Sequence, residues 1–424
     1  MRIDHAEMQI CRLILGLYVL SLAFFDKAVF LSHDSPYLYL GGICLFAVLL
    51  FRKNGVILFP KAAFFWLFFL IILLLSSFSA VSYEKILSNS ILLLSIIVIS
   101  IIIYNLLRLY RTSLIDALDF YLLLSFLLSI FAILQFIEFN FFHTFNLYLP
   151  PTNQQFILSG GPGAVVGALE IFRATGTFAE PSWLAFYLVP ALILALNRYL
   201  YDGNSKSLML ALFIFLGLLC TLSFIGFIFS GVSILLLFFN KVLFPMFRFK
   251  LSVTPTLRLA FLGIILIIAL QLVVNYAPVA DNYIKSRLDN IVLGQDSSSE
   301  IRMNTVNQAF NLFKHNPLFG IGAGNYQFAA ESFLGEPAED VSINSGFLLI
   351  LAEMGILGFI AYSLILWQSL RPTLEPISPL RDQLFWLLIT DVILMIGYNW
   401  WFHPLLWFHL TIPLAANYDF KRGS

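Results

Sequence analysis

Charge is what this sequence has least of. Asp, Glu, Lys and Arg make up 11% of its 424 residues, where a soluble globular chain carries about a quarter. That is too little charge to cover a water-facing surface, and it excludes an ordinary soluble fold. The two signs balance to a formal net charge of zero, so no global basic field is present to draw in nucleic acid. Cysteine is nearly as scarce. Cys11, Cys44 and Cys220 each sit in an apolar run, which leaves neither a disulfide framework nor a zinc knuckle. No two histidines stand at metal-ligand spacing and no Asp-x-Asp occurs, so the sequence offers no metal site and implies no cofactor.

What fills the chain instead is apolar surface. Hydrophobic residues are 60% of the total and aromatics 16%. A membrane crossing takes about 20 mostly apolar residues, and candidates fall near 8–25, 36–51, 61–79, 86–106, 114–139, 182–201, 207–222, 224–240, 257–276, 344–368, 382–401 and 404–420. The first run is long for a cleaved signal peptide and reads as a span. The stretch 207–240 is too long for one straight crossing, and "TLSFIG" (221–226) is the place for it to break. The fold class expected is an all-α integral membrane protein of about 12 transmembrane helices. The aromatics are expected to serve span packing and interface belts before sugar stacking.

Lys and Arg set the sidedness. With both termini in the cytoplasm, 17 of the 24 basic residues face inward. The exceptions are Lys27, Lys85, Arg173, Lys285, Arg287, Arg302 and Lys314. Two long segments interrupt the rhythm of hairpins, about 140–181 and 277–343, and both fall outside. Loops of this length are usually functional. The chain therefore divides into N-terminal spans (1–139), a first extracytoplasmic loop (140–181), central spans (182–276), a large second loop (277–343) and C-terminal spans (344–424). The outer face is the working face.

Five of the seven outward basic residues lie in these loops, three of them arginines, and arginine is the better fork for phosphate oxygens. Arg173 precedes a helix start at Pro181-Ser182, where free backbone N–H groups favour an anion. Arg287 and Arg302 bracket "LDNIVLGQDSSSEI", and Ser297 to Glu300 read as the N-cap of a helix running to about Lys314, with Arg302 in its first turn. Taken singly, each arginine also fits pairing with a carboxylate or snorkelling to headgroups. Glu180, directly before Pro181 at the membrane boundary, is placed where partial desolvation lifts a carboxylate toward a general base's range. It equally fits a carboxylate that stabilises the following helix. Glu331, Glu336 and Glu339 read as solvated surface, and Asp340 lies close to the next span. His315 reads as structural, His403 as a weak candidate, and "GIGAGNY" (320–326) as a tight turn with no strand–turn–helix unit around it.

Three segments together resemble the bacterial O-antigen polymerase and ligase superfamily (Wzy and WaaL type). They are "RATGTFAEPSWLAFYL" (173–188), "EIRMNTVNQAFNLFKHNPLFGIGAGNY" (300–326) and "NSGFLLILAEMGILGFIAY" (344–362). The first is similar to the superfamily's R-x-x-G-T-F segment, the second to its arginine helix and P-x-x-G-x-G turn, the third to its E-x-G-x-x-G helix. The resemblance implies a GT-C-like glycosyltransferase of the bacterial inner membrane. Its site would be built from the two loops on the periplasmic side, and its substrates would be glycans on undecaprenyl diphosphate. An acceptor hydroxyl would attack the anomeric carbon with inversion, without metal or nucleotide sugar, and the lipid diphosphate would leave. By residue match, Arg173 and Arg302, with Arg287, hold the diphosphate. Glu180 is the preferred base and Arg302 the second catalytic residue, while Asn344 and Asp340 face acceptor sugar. Ligases of the superfamily carry a histidine nine residues before the glutamate matching Glu353. Here that position is Asn344, which favours a polymerase of lipid-linked repeat units over a ligase acting on lipid A–core or protein. A flippase would place charge mid-span along a central path; here most basic residues lie at span ends or in outer loops, and although the spans hold Glu353 and Asp391, the superfamily's helix accounts for the first. The partners implied are lipid-linked donor and acceptor oligosaccharides, the bilayer, and, as a candidate, a Wzz-like chain-length regulator.

Overall fold

The computed structural model describes residues 5–23, 57–109, 113–145, 163–166, 169–243, 297–338, 342–374 and 378–422, with positions 42, 147 and 257. Its helices are α1 (His5–Leu22), α2 (Ala62–Leu75), α3 (Tyr83–Leu109), α4 (Ser113–Ile137), α5 (Pro181–Asp202), α6 (Ser205–Cys220), α7 (Phe224–Phe238), α8 (Ser297–His315), α9 (Gly346–Leu370), α10 (Pro379–Gly397) and α11 (Pro404–Arg422). Their ends carry ordinary cap chemistry. Asn204, Ser223, Ser345 and Ser378 accept from backbone N–H groups one turn into α6, α7, α9 and α10, the side-chain substitution for missing intrahelical partners. Glu84 opens α3 and Arg108 closes it, each matching the sign of the helix dipole there.

Six segments are long and apolar enough to cross a membrane by length and composition: Ala62–Ser79, Tyr83–Arg108, Leu114–Phe142, Pro181–Asp202, Phe224–Lys241 and Gly346–Thr373. Gln9–Leu22, Ser205–Cys220 and Pro404–Ala416 are apolar but shorter. Helix α10 holds Arg381, Asp382 and Asp391, which keeps it from qualifying on composition. Apart from positions 42 and 257, the expected spans at 36–51 and 257–276 lie outside the described residues. The chain is thus a predominantly helical, multi-pass membrane protein with six candidate crossings among the described residues. The stretch 207–240 does break at 221–223, with Leu222 at φ +45°.

The described residues include one pair of strands. Gly163–Val166 pairs antiparallel with Leu169–Phe172 as a two-stranded hairpin, Gly163 opposite Phe172 and Val166 opposite Leu169. Val165, Val166 and Ile171 are the β-branched residues that favour strand, and their short run is easily lost among the longer apolar segments.

The chain folds as two compact units. The first comprises residues 1–18, 38–116 and 294–424, the second 19–37 and 117–293. In the first, α3 packs on α11 and on α2, while α9 packs on α2, α8, α10 and α11. Its core is aromatic: Phe69 meets Tyr362 at 5.4 Å and Trp401 at 5.6 Å, and Trp66 meets Trp407 at 6.0 Å between ring centroids. Arg12, midway along α1, binds Asp116 in the first turn of α4 at 2.7 Å, one of the rare charged pairs between apolar helices. In the second unit α5 is the central post, packed against α6 and α7. It is apolar on every side, and 89% of its span is buried against 22% for α7, the pattern of a helix enclosed by others.

Candidate functional site

In the second unit, the segment from Arg173 to Glu180 is held by hydrogen bonds to backbone carbonyls and to the Gln135 side chain. Ala174 donates to the Cys220 carbonyl at 3.0 Å, and Arg173 Nε donates to the Thr221 carbonyl at 3.2 Å. The half-buried guanidinium thus sits at the C-terminal end of α6, where exposed carbonyls favour a cation. Gln135 of α4 grips Gly176 from both sides: the Gly176 N–H donates to Oε1 at 2.8 Å and Nε2 donates to the Gly176 carbonyl at 3.2 Å. Thr177 donates to the Ala23 carbonyl, and Phe178 is fully buried against Tyr187. The R-x-x-G-T-F residues therefore fix a loop whose first member, Arg173, is a half-buried cation.

Glu180 occupies the N-cap position of α5 with extended backbone, φ −131° and ψ 152°, and Pro181 follows as the first helical residue. Its carboxylate makes no cap bond to the helix backbone; it accepts from Ser182 Oγ at 3.0 Å. At this position the carboxylate faces the positive end of the helix dipole without bonding the helix backbone.

In the first unit, α8 starts at Ser297, the first of the residues read as its cap, and ends at His315. Arg302 is its sixth residue, in the second turn and not the first. It is half-buried, and its carbonyl accepts from Thr305 Oγ1 at 2.8 Å. His315 stacks on Phe333 with centroids 4.4 Å apart, a packing role. Arg287 and Asp340 lie outside the described residues.

The turn after α8 is the most heavily bonded feature of the unit, and it docks on a break in α9. Gly355 has φ +66° and ψ −168°, which no helix accommodates. The interruption frees carbonyls and N–H groups in mid-helix, and the turn takes them up. Ile321 donates to the Ala352 carbonyl at 3.0 Å and Gly322 to the Glu353 carbonyl at 2.9 Å; Ile356 donates back to Pro317 at 2.9 Å. The Glu353 side chain, 3% exposed, accepts from the Gly324 N–H at 2.8 Å and the Tyr326 N–H at 3.4 Å. Two glycines permit the close approach. A Cβ on Gly355 would drive into the Leu318 carbonyl, and one on Gly320 into the Glu353 backbone. On the other side Asn325 pairs with the Ser82 backbone in both directions, at 2.6 and 3.1 Å. The tight turn read from "GIGAGNY" is present, and its donors meet the chain's own carboxylate.

Asn344 is half-buried and lies between two anchored serines. Ser342 accepts from Asn399 at 2.8 Å, and Ser345 caps α9 while its neighbour Gly346 donates to the Tyr398 carbonyl at 2.9 Å. This start of α9 is thereby strapped to the end of α10.

A further pair escaped the reading of the sequence. Asp391 of α10 and His409 of α11 meet at 2.8 Å, both fully enclosed. Each is a titratable residue within the apolar stretch of its helix, and such residues need a partner; matching them would have found the pair. His403, outside the helices, is buried flat against Trp400 at 3.9 Å, and its Nδ1 accepts from the Leu405 N–H at 3.2 Å. Burial, with the nearby His409, pushes its pKa down to about 3, so it is neutral.

Among the described residues no group of three His, Cys, Asp or Glu side chains stands where it could hold a metal ion. Arg173 and Glu180 belong to the second unit, Arg302 and Asn344 to the first.

Comparison with known families bears on residues 207–363, which match the family model described as O-antigen ligase. Over these residues the chain is similar to the O-antigen polymerase and ligase superfamily. The matched superfamily segment runs from α6 into α9, and so contains Arg302, the glycine turn, Asn344 and Glu353, as well as Arg287 and Asp340. Arg173 and Glu180 precede it. No curated protein matches the chain. The superfamily domain supports a glycosyltransferase-type activity of the O-antigen ligase or polymerase kind, carried by a membrane protein.

Proposed function

We propose that this protein polymerises oligosaccharide repeat units carried on undecaprenyl diphosphate, at the periplasmic face of the bacterial inner membrane. The acceptor unit's hydroxyl oxygen forms the new bond to the donor's anomeric carbon, with inversion. The bond from that carbon to the diphosphate oxygen breaks, and the lipid diphosphate leaves with the electron pair. The hydroxyl proton passes to Glu180, an acid at the head of α5 whose carboxylate is not used to cap that helix. The charge of the leaving diphosphate is assigned to Arg173, Arg287 and Arg302 by their match to superfamily motifs, with arginine's paired donors suiting phosphate oxygens. Asn344 and Asp340 are assigned to acceptor sugar.

The observation that carries the choice of polymerase is Asn344. The position before α9 that would hold a ligase's histidine holds an amide, which binds a hydroxyl without taking its proton. The second reading is a ligase, which the matched model's own description favours. Reconstitution of the purified protein with one synthetic lipid-diphosphate repeat unit and no other acceptor separates the two. A ladder of multiples with free lipid diphosphate is the expected result. A single transfer, only once lipid A–core or a protein acceptor is added, would replace the polymerase with a ligase.

A further inference from the structure

Helix α4 ends in a short aromatic tip, "FNFFHTF" (139–145), that no part of the proposed chemistry uses. The final turn widens over Glu138–Phe142, and His143 stops it at φ +56°. The buried Glu138 carboxylate draws the tip into a compact knot: it accepts from Thr144 Oγ1 at 2.8 Å and from the Thr144 and Phe145 N–H groups. The result is three phenylalanines turned outward, Phe141, Phe142 and Phe145, exposed by 54%, 64% and 72%. They are not an isolated patch. Leu127, Leu134 and Ile137 are exposed on the same helix at spacings that continue one face into Phe141. That face belongs to a helix long and apolar enough to span a membrane.

The tip is also tied to the residue before Arg173. Asn140 Oδ1 accepts from the Phe172 N–H at 3.1 Å and its Nδ2 donates to the Phe172 carbonyl at 3.0 Å. The Phe139 and Phe172 rings stack at 4.0 Å. We propose that the Phe141–Phe142–Phe145 tip seats in the interfacial layer of bilayer lipid, and that the Asn140–Phe172 clamp transmits that depth to Arg173. The occupant is lipid because the tip prolongs the lipid-facing stripe of α4 and its one buried acid is turned inward. Phenylalanine rings gain by leaving water at this level, where polar backbone can still be solvated. The consequence for function rests on the reading of Arg173 as a diphosphate cation: a cation that must meet a lipid-borne phosphate needs a defined height above the acyl chains.

The test uses the full chain in membranes. Benzoylphenylalanine replacing Phe142 should, on illumination, give a protein mass increased by a phospholipid; adducts confined to protein would overturn the seating. A nitroxide at Phe142→Cys, in a background lacking the natural cysteines, should collide with oxygen several-fold more often than with a water-soluble nickel complex. Nickel collisions as frequent as those of free label in buffer would refute it. For the clamp, a nitroxide at Arg173→Cys should change its oxygen-to-nickel ratio at least twofold when Asn140→Ala is added, and an unchanged ratio would remove the coupling. None of these readouts needs turnover. A protein that makes no glycan ladder yet passes them keeps the anchor and loses only the proposed chemistry.

Discussion

Replacing Glu353 separates a carboxylate that builds the fold from one that touches substrate. Its two oxygens accept from Gly324 at 2.8 Å and Tyr326 at 3.4 Å, with the side chain 3% exposed. In Glu353→Ala both N–H groups are stranded in a buried place, and each stranded donor costs about 1–3 kcal/mol. The longer of the two bonds contributes less, so the sum expected is about 3–4 kcal/mol, before any cavity term. Glu353→Gln keeps one carbonyl oxygen, enough for Gly324, and sets an amide N–H₂ against Tyr326. Its cost is the single weaker contact, about 1–2 kcal/mol. The assay is thermal stability in detergent, followed by size-exclusion of the surviving monodisperse protein, in parallel with glycan polymerisation. Alanine should melt several degrees below glutamine, and glutamine should retain most activity at a permissive temperature. A glutamine variant with wild-type melting and no turnover would refute the clamp and put Glu353 in the chemistry.

Gly355→Ala meets both a positive φ and the Leu318 carbonyl; it should cost more than about 3 kcal/mol, read as lost folded protein, while Ala at open Gly231 should be tolerated. Asp391→Ala removes the partner of an enclosed His409 and should destabilise by about 3–5 kcal/mol, whereas Asp391→Asn, which keeps an acceptor for Nδ1, should melt much closer to wild type. His403 is held neutral in the fold with its pKa near 3, below the ordinary 6.5, so the unfolded chain binds the extra proton. Its contribution is complete above about pH 6.5 and falls toward pH 3 by up to about 1.4 kcal/mol per unit; His403→Asn, whose Oδ1 can replace Nδ1, should flatten that decline in a melting series. Arg173→Ala and Arg302→Ala should each lower turnover about 10²-fold or more with normal membrane insertion, and full activity in either would remove that arginine from the site.

Elements set by local signals were legible in the sequence. The apolar runs announced α4, α5 and α9, Pro181 marked the start of α5, and the serines before Glu300 marked α8. The tight turn at 320–326 followed from its glycines. Less was visible where structure depends on distant partners. Residues 344–368 read as one continuous span, since a glycine within a membrane helix is common and only the arriving turn makes Gly355 a break. Gln135 was a single polar side chain in an apolar run until Gly176 came against it. The candidate site is similar. Sequence motifs supplied Arg173, Glu180, Arg302 and Asn344, but the capping of α6 by Arg173 and the bond from Ser182 to Glu180 arise only from folding. The shift of Arg302 into the second turn follows from where α8 begins, the least certain feature of any helix read from sequence.

The break at Gly355 also has a vertical coordinate. It lies nine residues past Gly346, the start of α9, or about 14 Å along a helix rising 1.5 Å per residue. The hydrocarbon layer is about 30 Å thick. On the topology proposed above, with the head of α9 at the boundary, the Pro317–Gly322 backbone docked there would be a re-entrant segment reaching almost half-way into the membrane. Irregular chain at such depth persists only when protein encloses it, and the pairing of its N–H and carbonyl groups with α9 supplies that enclosure. On that topology the loop after α8 would have its root inside the bilayer rather than on its surface.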